Sequence, residues 1–125
     1  MEDFTLILQE LVNKDPEKLN INLPENIVLE FEKTADNFLT KDRILEAIKV
    51  FAITKNIKKL SEIGNICLKD SKLEFAFKAF YYSKDKGGLN KVGEEFLKQS
   101  EIENAFQAFK LADNKEMTEF IIKNF

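Results

Sequence analysis

Apolar residues recur along most of this chain at helical spacing. Leu73, Ala76, Phe77 and Phe80 occupy positions i, i+3, i+4 and i+7, one face of a 3.6-residue helix. They lie within F-A-F-K-A-F-Y-Y at 75–82, five aromatic rings in eight positions. The same frame returns on either side. Ala47-Ile48-Lys49-Val50-Phe51, Ala76-Phe77-Lys78-Ala79-Phe80 and Ala105-Phe106-Gln107-Ala108-Phe109 begin 29 residues apart. Leu60-Ser61-Glu62-Ile63-Gly64 and Leu89-Asn90-Lys91-Val92-Gly93 share that offset, as do Cys67-Leu68 and Phe96-Leu97, with Phe125 one step on. One step back lie Phe31, Ala35 and Phe38-Leu39. A fixed period of this kind marks a repeat architecture, in which each unit buries its apolar face on its neighbours.

The period predicts three units, near 28–56, 57–85 and 86–114, and a half unit at 115–125. Each reads as two helices. Ser71-x-x-Glu74 and Ser100-x-x-Glu103 have the form of capping boxes opening the second helix, with Asp42 in the equivalent slot of the first unit. The first helix of a unit follows a polar turn containing Asn56, Asp85 or Asn114. Proline occurs only at 16 and 24, so nothing interrupts the helices beyond. Phe4, Leu8, Leu11 and Val12 predict a short amphipathic helix near 3–13 outside the repeat frame, and 13–24 reads as a loop. The expectation is one all-α domain, 1–125, with a capping helix and loop over 1–24 and three and a half helical hairpins over 28–125.

Composition narrows the function. The net charge is −3, with lysines interspersed among carboxylates, so nothing attracts the chain to phosphate backbones or anionic membranes. The acidic start, Met1-Glu2-Asp3, is unlike a secretory signal, and no stretch approaches the ~20 apolar residues that span a bilayer. The one cysteine, Cys67, fits a reducing compartment. A cytoplasmic location is expected. Histidine is absent, which removes the commonest general base and metal ligand. Cys67 shares its slot with Phe38, Phe96 and Phe125, so it reads as a buried structural thiol. Gly87-Gly88 precedes a helix without a phosphate-binding signature around it, and its place in a turn explains it. No cofactor or metal is implied and no catalysis is expected; a carboxylate-based enzyme site is the remote alternative.

Within a unit the order is large apolar, x2, apolar, small, x2, large apolar, then Ala-x3-Phe-x2-small. Leu60, Ile63, Gly64, Cys67, Ala76, Phe80 and Ser83 show it, as do Leu89, Val92, Gly93, Phe96, Ala105, Phe109 and Ala112. Phe31, Thr34, Ala35, Phe38, Ala47, Phe51 and Thr54 follow the same order. This resembles the tetratricopeptide repeat, W-x2-L-G-x2-Y followed by A-x3-F, over residues 31 to 125. The family's period is 34 and its later proline is missing here, so each unit is shorter in the turn between units. Such short units are also similar to the helical-hairpin solenoids of vesicle-coat and intraflagellar-transport subunits. The resemblance implies an α-α superhelix, a right-handed solenoid of antiparallel hairpins. It also implies that the first helix of each unit lines a concave groove for a peptide or partner protein.

Carried onto this chain, the groove presents Glu32, Asp36, Lys58, Ser61, Asn65, Lys69, Asn90, Glu94, Lys98 and Glu119. Some family members clamp a peptide carboxylate there with Lys and Asn. Asn65 matches one Asn of that clamp, but Ser61 stands where its first Lys belongs. Two further surfaces compete. The half unit carries Met117, Phe120, Ile121, Ile122 and Phe125 without a second helix to cover them, so Phe120 and Ile122 are candidates for a homodimer contact or a partner site. Phe75 and Tyr81 stand where other units have Glu46 or Asn104 and Ala52 or Lys110, and are candidate exposed contacts. The expected function is a non-catalytic adaptor or assembly module; the alternative is a structural protein self-associating through 115–125.

Overall fold

Seven α-helices account for most of residues 25–124: α1 Glu25–Thr40, α2 Ile44–Ile53, α3 Ile57–Lys69, α4 Leu73–Ser83, α5 Lys86–Lys98, α6 Ile102–Leu111 and α7 Lys115–Asn124. This computed structural model describes residues 22–125 together with Glu10 and 13–19. The amphipathic helix expected near 3–13 lies outside the described residues except for its end. No strand occurs among them, and the 13–24 stretch contains one 3-10 turn, Pro16–Lys18, capped by the Asp15 carboxylate on the Glu17 N–H.

The 29-residue period reappears in the helix starts. α2, α4 and α6 begin at Ile44, Leu73 and Ile102, and α3, α5 and α7 at Ile57, Lys86 and Lys115. It also governs the turns. Asp42, Ser71 and Ser100 close α1, α3 and α5 in the left-handed conformation, and Lys55, Lys84 and Asp113 do the same after α2, α4 and α6. In every case the next N–H bonds a carbonyl five residues back, as Lys72 does to Cys67 at 2.8 Å and Asn114 to Phe109 at 2.9 Å. This is the Schellman end of a helix, in which the usual residue is glycine. Here six non-glycine residues fill it, each at a strain of order 1–3 kcal/mol.

That geometry overturns the capping boxes at Ser71 and Ser100. Both serines end the preceding helix, and the N-cap positions belong to Lys72 and Glu101, which make no side-chain cap. The Asp42 slot behaves likewise, with Arg43 at the N-cap. Side-chain caps occur instead on α3, α5 and α7, where Asn56, Asp85 and Asn114 accept from Lys59, Gly88 and Met117 N–H groups at 3.1, 2.9 and 3.1 Å. Gly87 and Gly88 are also corrected: they belong to the first turn of α5, not to the connecting turn. Gly88 is there because the Phe80 ring lies directly against it, where a Cβ would collide.

The chain packs as two compact units, Met1–Leu60 and Ser61–Phe125, divided inside α3. In the first, α1 packs on α2, and the Pro16–Lys18 turn packs against α2. Its core holds Phe31, Ala35, Ala47, Ile48, Val50 and Phe51, all essentially inaccessible. In the second, α4 packs on α5, α5 on α6 and α6 on α7. Ala76, Ala79 and Phe80 of α4 and Ala105, Ala108 and Phe109 of α6 are fully buried. Small residues let the backbones approach. A Cβ on Gly64 would stand 2.6 Å from the Phe80 ring, and one on Gly93 2.8 Å from the Phe109 ring. Cys67 is buried at 2% exposure, as expected of a structural thiol.

Candidate interaction surfaces

Three of the groove positions are committed to holding the fold. The Asn56 amide donates to Glu32 at 2.8 Å, the Ser61 hydroxyl to Asp85 at 3.1 Å, and the Asn114 amide to Asn90 at 2.9 Å. The partners are always 24 residues apart, and each pair is the previous one moved by one period. Donor and acceptor exchange sides between pairs, yet the bond is kept. Glu32 also accepts from the Thr54 hydroxyl at 3.0 Å. The cap residue that starts one helix is thus clasped by a side chain from the helix one hairpin earlier. Ser61 and Asn90 are therefore partly buried structural residues, a role that local sequence does not show and that the period alone could have revealed.

The remaining groove candidates are more open. Asp36 faces Lys59 at 3.8 Å, both side chains well exposed. Asn65, Lys58, Lys69 and Glu119 are exposed. In the second unit Glu94 is exposed, and Lys98 donates to Glu95 at 3.0 Å. That hydrogen bond and the charge of Glu95 raise the Lys98 pKa above its ordinary value, with Glu94 adding to the effect. Asn65, Lys69 and Glu94 make no side-chain hydrogen bond or ion pair among the described residues.

Phe75 and Tyr81 are half-buried and not exposed. The Tyr81 ring stacks on Phe77 with centroids 6.5 Å apart and meets Tyr82 edge-on at 5.2 Å. Phe77 in turn packs at a tilt on Phe96, 6.4 Å away. The aromatic run is mostly seam, with Tyr81 at its margin.

Leu29 of α1 and Ile57 and Ile66 of α3 are exposed, and a larger open apolar surface lies on α6 and α7. Phe120 and Ile122 are 46% and 68% exposed, and Phe125, just past α7, is 72% exposed. Ile102 and Phe106 of α6 join Ile121, Ile122 and Phe125 around a groove of about 560 Å³. A second hollow of about 290 Å³ continues it toward the α6–α7 turn, sharing Phe106 and Ile122 and adding Lys110, Asp113 and Lys115. Glu103 and Gln107 also line the larger groove, while the hollow beyond it carries Lys110, Asp113 and Lys115. Asp113 is engaged by Lys86 at 2.6 Å. That bond, and the attraction behind it, hold its carboxyl below the ordinary 3.8, with Lys115 contributing. Lys110 and Lys115 have no ion pair of their own among the described residues.

One period earlier the equivalent surface is narrower. Glu74, Phe77 and Lys78 of α4 and Phe96 of α5 are met there by Asn104 and Gln107 of α6, which reduce the space to about 290 Å³. The frame maps Phe77 to Phe106 and Phe96 to Phe125, so the two spaces are lined from equivalent positions. Among the described residues no group of His, Cys, Asp and Glu could hold a metal ion, and no helix is long and apolar enough to cross a membrane. No family model matches the chain, and no curated protein or solved structure matches it either.

Proposed function

We propose that this chain is a non-catalytic interaction module, an adaptor or assembly piece of the tetratricopeptide-like solenoid type, which engages another protein through the α6/α7 groove. One observation carries the reading: the frame position that is buried at Phe96 stands open at Phe125, with Ile122 exposed beside it. Burying a large apolar side chain is worth about 1.5–3 kcal/mol, so a contiguous open set is a surface that gains by being covered. A second reading places a peptide on the exposed row Asn65, Lys69 and Glu94, as the family resemblance implies; among the described residues none of these side chains makes a hydrogen bond or ion pair, which favours it, although the Glu94 charge acts on Lys98.

Quantitative co-purification with the native chain, Ile122→Asp and the double variant Asn65→Ala/Glu94→Ala tests both. Loss of the bound proteins by at least ~10-fold with Ile122→Asp is the expected outcome. Loss only with the double variant moves the site to the row. Identical recovery from all three chains sinks the interaction reading at both surfaces.

A further inference from the structure

We infer that the α6/α7 groove takes an amphipathic helix from a partner protein, one with alanine or glycine facing Ile122 and an acidic residue at the Lys110/Lys115 end. The inference rests on the interaction reading above and adds the chemistry of the occupant.

The repeat supplies the shape. One period earlier the equivalent surface is met by a helix, α6, whose inward face is Ala105, Ala108, Phe109 and Ala112, all buried. Its one large ring sits on Gly93, with no room for a Cβ between them. At α7 the glycine slot holds Ile122. A helix bringing a ring to that slot collides with the isoleucine side chain. A helix bringing a methyl group or a hydrogen seats on it, with Phe106 and Phe125 flanking as anchors.

Charge supplies the polarity. Lys86 already neutralises Asp113, so Lys110 and Lys115 leave that end of the groove positive. A carboxylate there gains a partner, whereas a lysine meets its own sign.

The same observations argue against a second copy as the occupant. The small-residue faces of α2, α4 and α6 are buried inside the fold, with Ala47, Ala76 and Ala105 at zero exposure. The outer side of α7 interleaves Glu116, Glu119 and Lys123 with Phe120, which is 46% exposed. The alanine faces that would suit the groove are thus taken up inside the fold at α2, α4 and α6. The area points the same way: aromatic anchors bury about 150–250 Å² each. Two such anchors and an isoleucine fall short of the ~800 Å² per partner of a standard protein–protein interface, yet suit one docked helix.

The test uses fluorescein-labelled helical peptides of about 18 residues with alanine at i, i+3, i+4 and i+7 and glutamate in one terminal turn. Binding is followed by fluorescence anisotropy. The native chain should bind this peptide at least ~10-fold tighter than one with phenylalanine at the central alanine. Ile122→Gly should invert that preference, with Ile122→Ala intermediate and circular dichroism unchanged in both. Replacing the glutamate by lysine should weaken binding several-fold at ~0.05 M salt and by less at ~0.5 M. Equal affinity for the alanine and phenylalanine peptides, or no inversion with Ile122→Gly, overturns the inference. If no peptide binds while Ile122→Asp still loses the native chain's co-purifying proteins, the interaction reading stands and the helical occupant is wrong. A dimer in light scattering that Ile122→Asp abolishes makes the occupant a second copy and likewise overturns it.

Discussion

The α4–α5–α6 seam and the α6–α7 seam are built from the same frame positions and end in opposite states. At the first, Phe109 is fully buried against Gly93 and Phe96 is 3% exposed. At the second, the glycine is replaced by Ile122, and Phe125 at the Phe96 position is 72% exposed. What differs is not hydrophobicity, since both seams are aliphatic and aromatic. The difference is whether a Cβ stands where the next ring must go. The small position admits a ring at Gly93, and the same frame position at α7 holds Ile122, which is 68% exposed.

Breaking the closed seam should give the largest effect. Phe109→Ala should destabilise the protein by about 3–5 kcal/mol, because it removes a fully buried ring and leaves a cavity. Phe125→Ala should stay within about 0.5 kcal/mol, as expected of an exposed position. Urea denaturation of both variants makes the check, and equal costs would mean that the two seams do not differ in solution. Next comes the glycine slot itself. Gly93→Ile transfers the α7 residue into the closed seam and should cost about 1–3 kcal/mol of overpacking, beyond the ~1 kcal/mol regained by removing a helical glycine. The reverse exchange, Ile122→Gly, should cost no more than about 1 kcal/mol, since it meets no neighbouring ring.

The contrast also shows what could be read from the chain. The helix pairs, their starts and the alanine–phenylalanine seam follow from a period that each of Ala47, Ala76 and Ala105 repeats, because burial fixes residue size and every unit solves the same packing problem. Phe120 and Ile122 were legible as apolar positions outside the alanine–phenylalanine seam, and both are exposed. The turns were not legible. Left-handed helix ends usually announce themselves by glycine, and here Asp42, Ser71, Ser100, Lys55, Lys84 and Asp113 fill them. Ser71 and Ser100, followed by a glutamate three residues on, imitate a cap that the backbone places one residue later. The row of Ser61 and Asn90 was half legible, because its spacing gave a shared helix face but not the cap residues 24 positions on that these side chains bond.

Those clasps yield a smaller and sharper test. Asn114 caps α7 through the Met117 N–H and holds Asn90, so Asn114→Ala should cost about 1–2 kcal/mol. Asn90→Ala removes only the clasp and should cost about 0.5–1.5 kcal/mol. A double-mutant cycle should give a coupling of at least about 0.5 kcal/mol; additivity would mean that the bond does not form. Because the clasp sets where α7 starts, its loss should also loosen the open seam before the closed one, seen as faster amide exchange in α7 than in α5.

The smallest effect concerns the charged end of the open seam. Lys86 bonds Asp113 and depresses its carboxyl pKa, although both side chains are largely exposed. A carboxylate held below its unfolded value contributes stability above that value, near 3.8, and loses it as pH falls through the lower folded one. An exposed pair of this kind is screened by salt, so the contribution to stability is slight. The consequence for the groove is greater than for the fold. Lys86→Ala should return the Asp113 pKa toward its ordinary value in an NMR titration, with Lys115 still holding it partly down. It should also release that carboxylate to face Lys110 and Lys115. The preference for a glutamate-bearing over a lysine-bearing helix should then shrink by a few-fold at low salt. An unchanged preference would show that the lysines, not the Lys86–Asp113 bridge beside them, set the sign of that end.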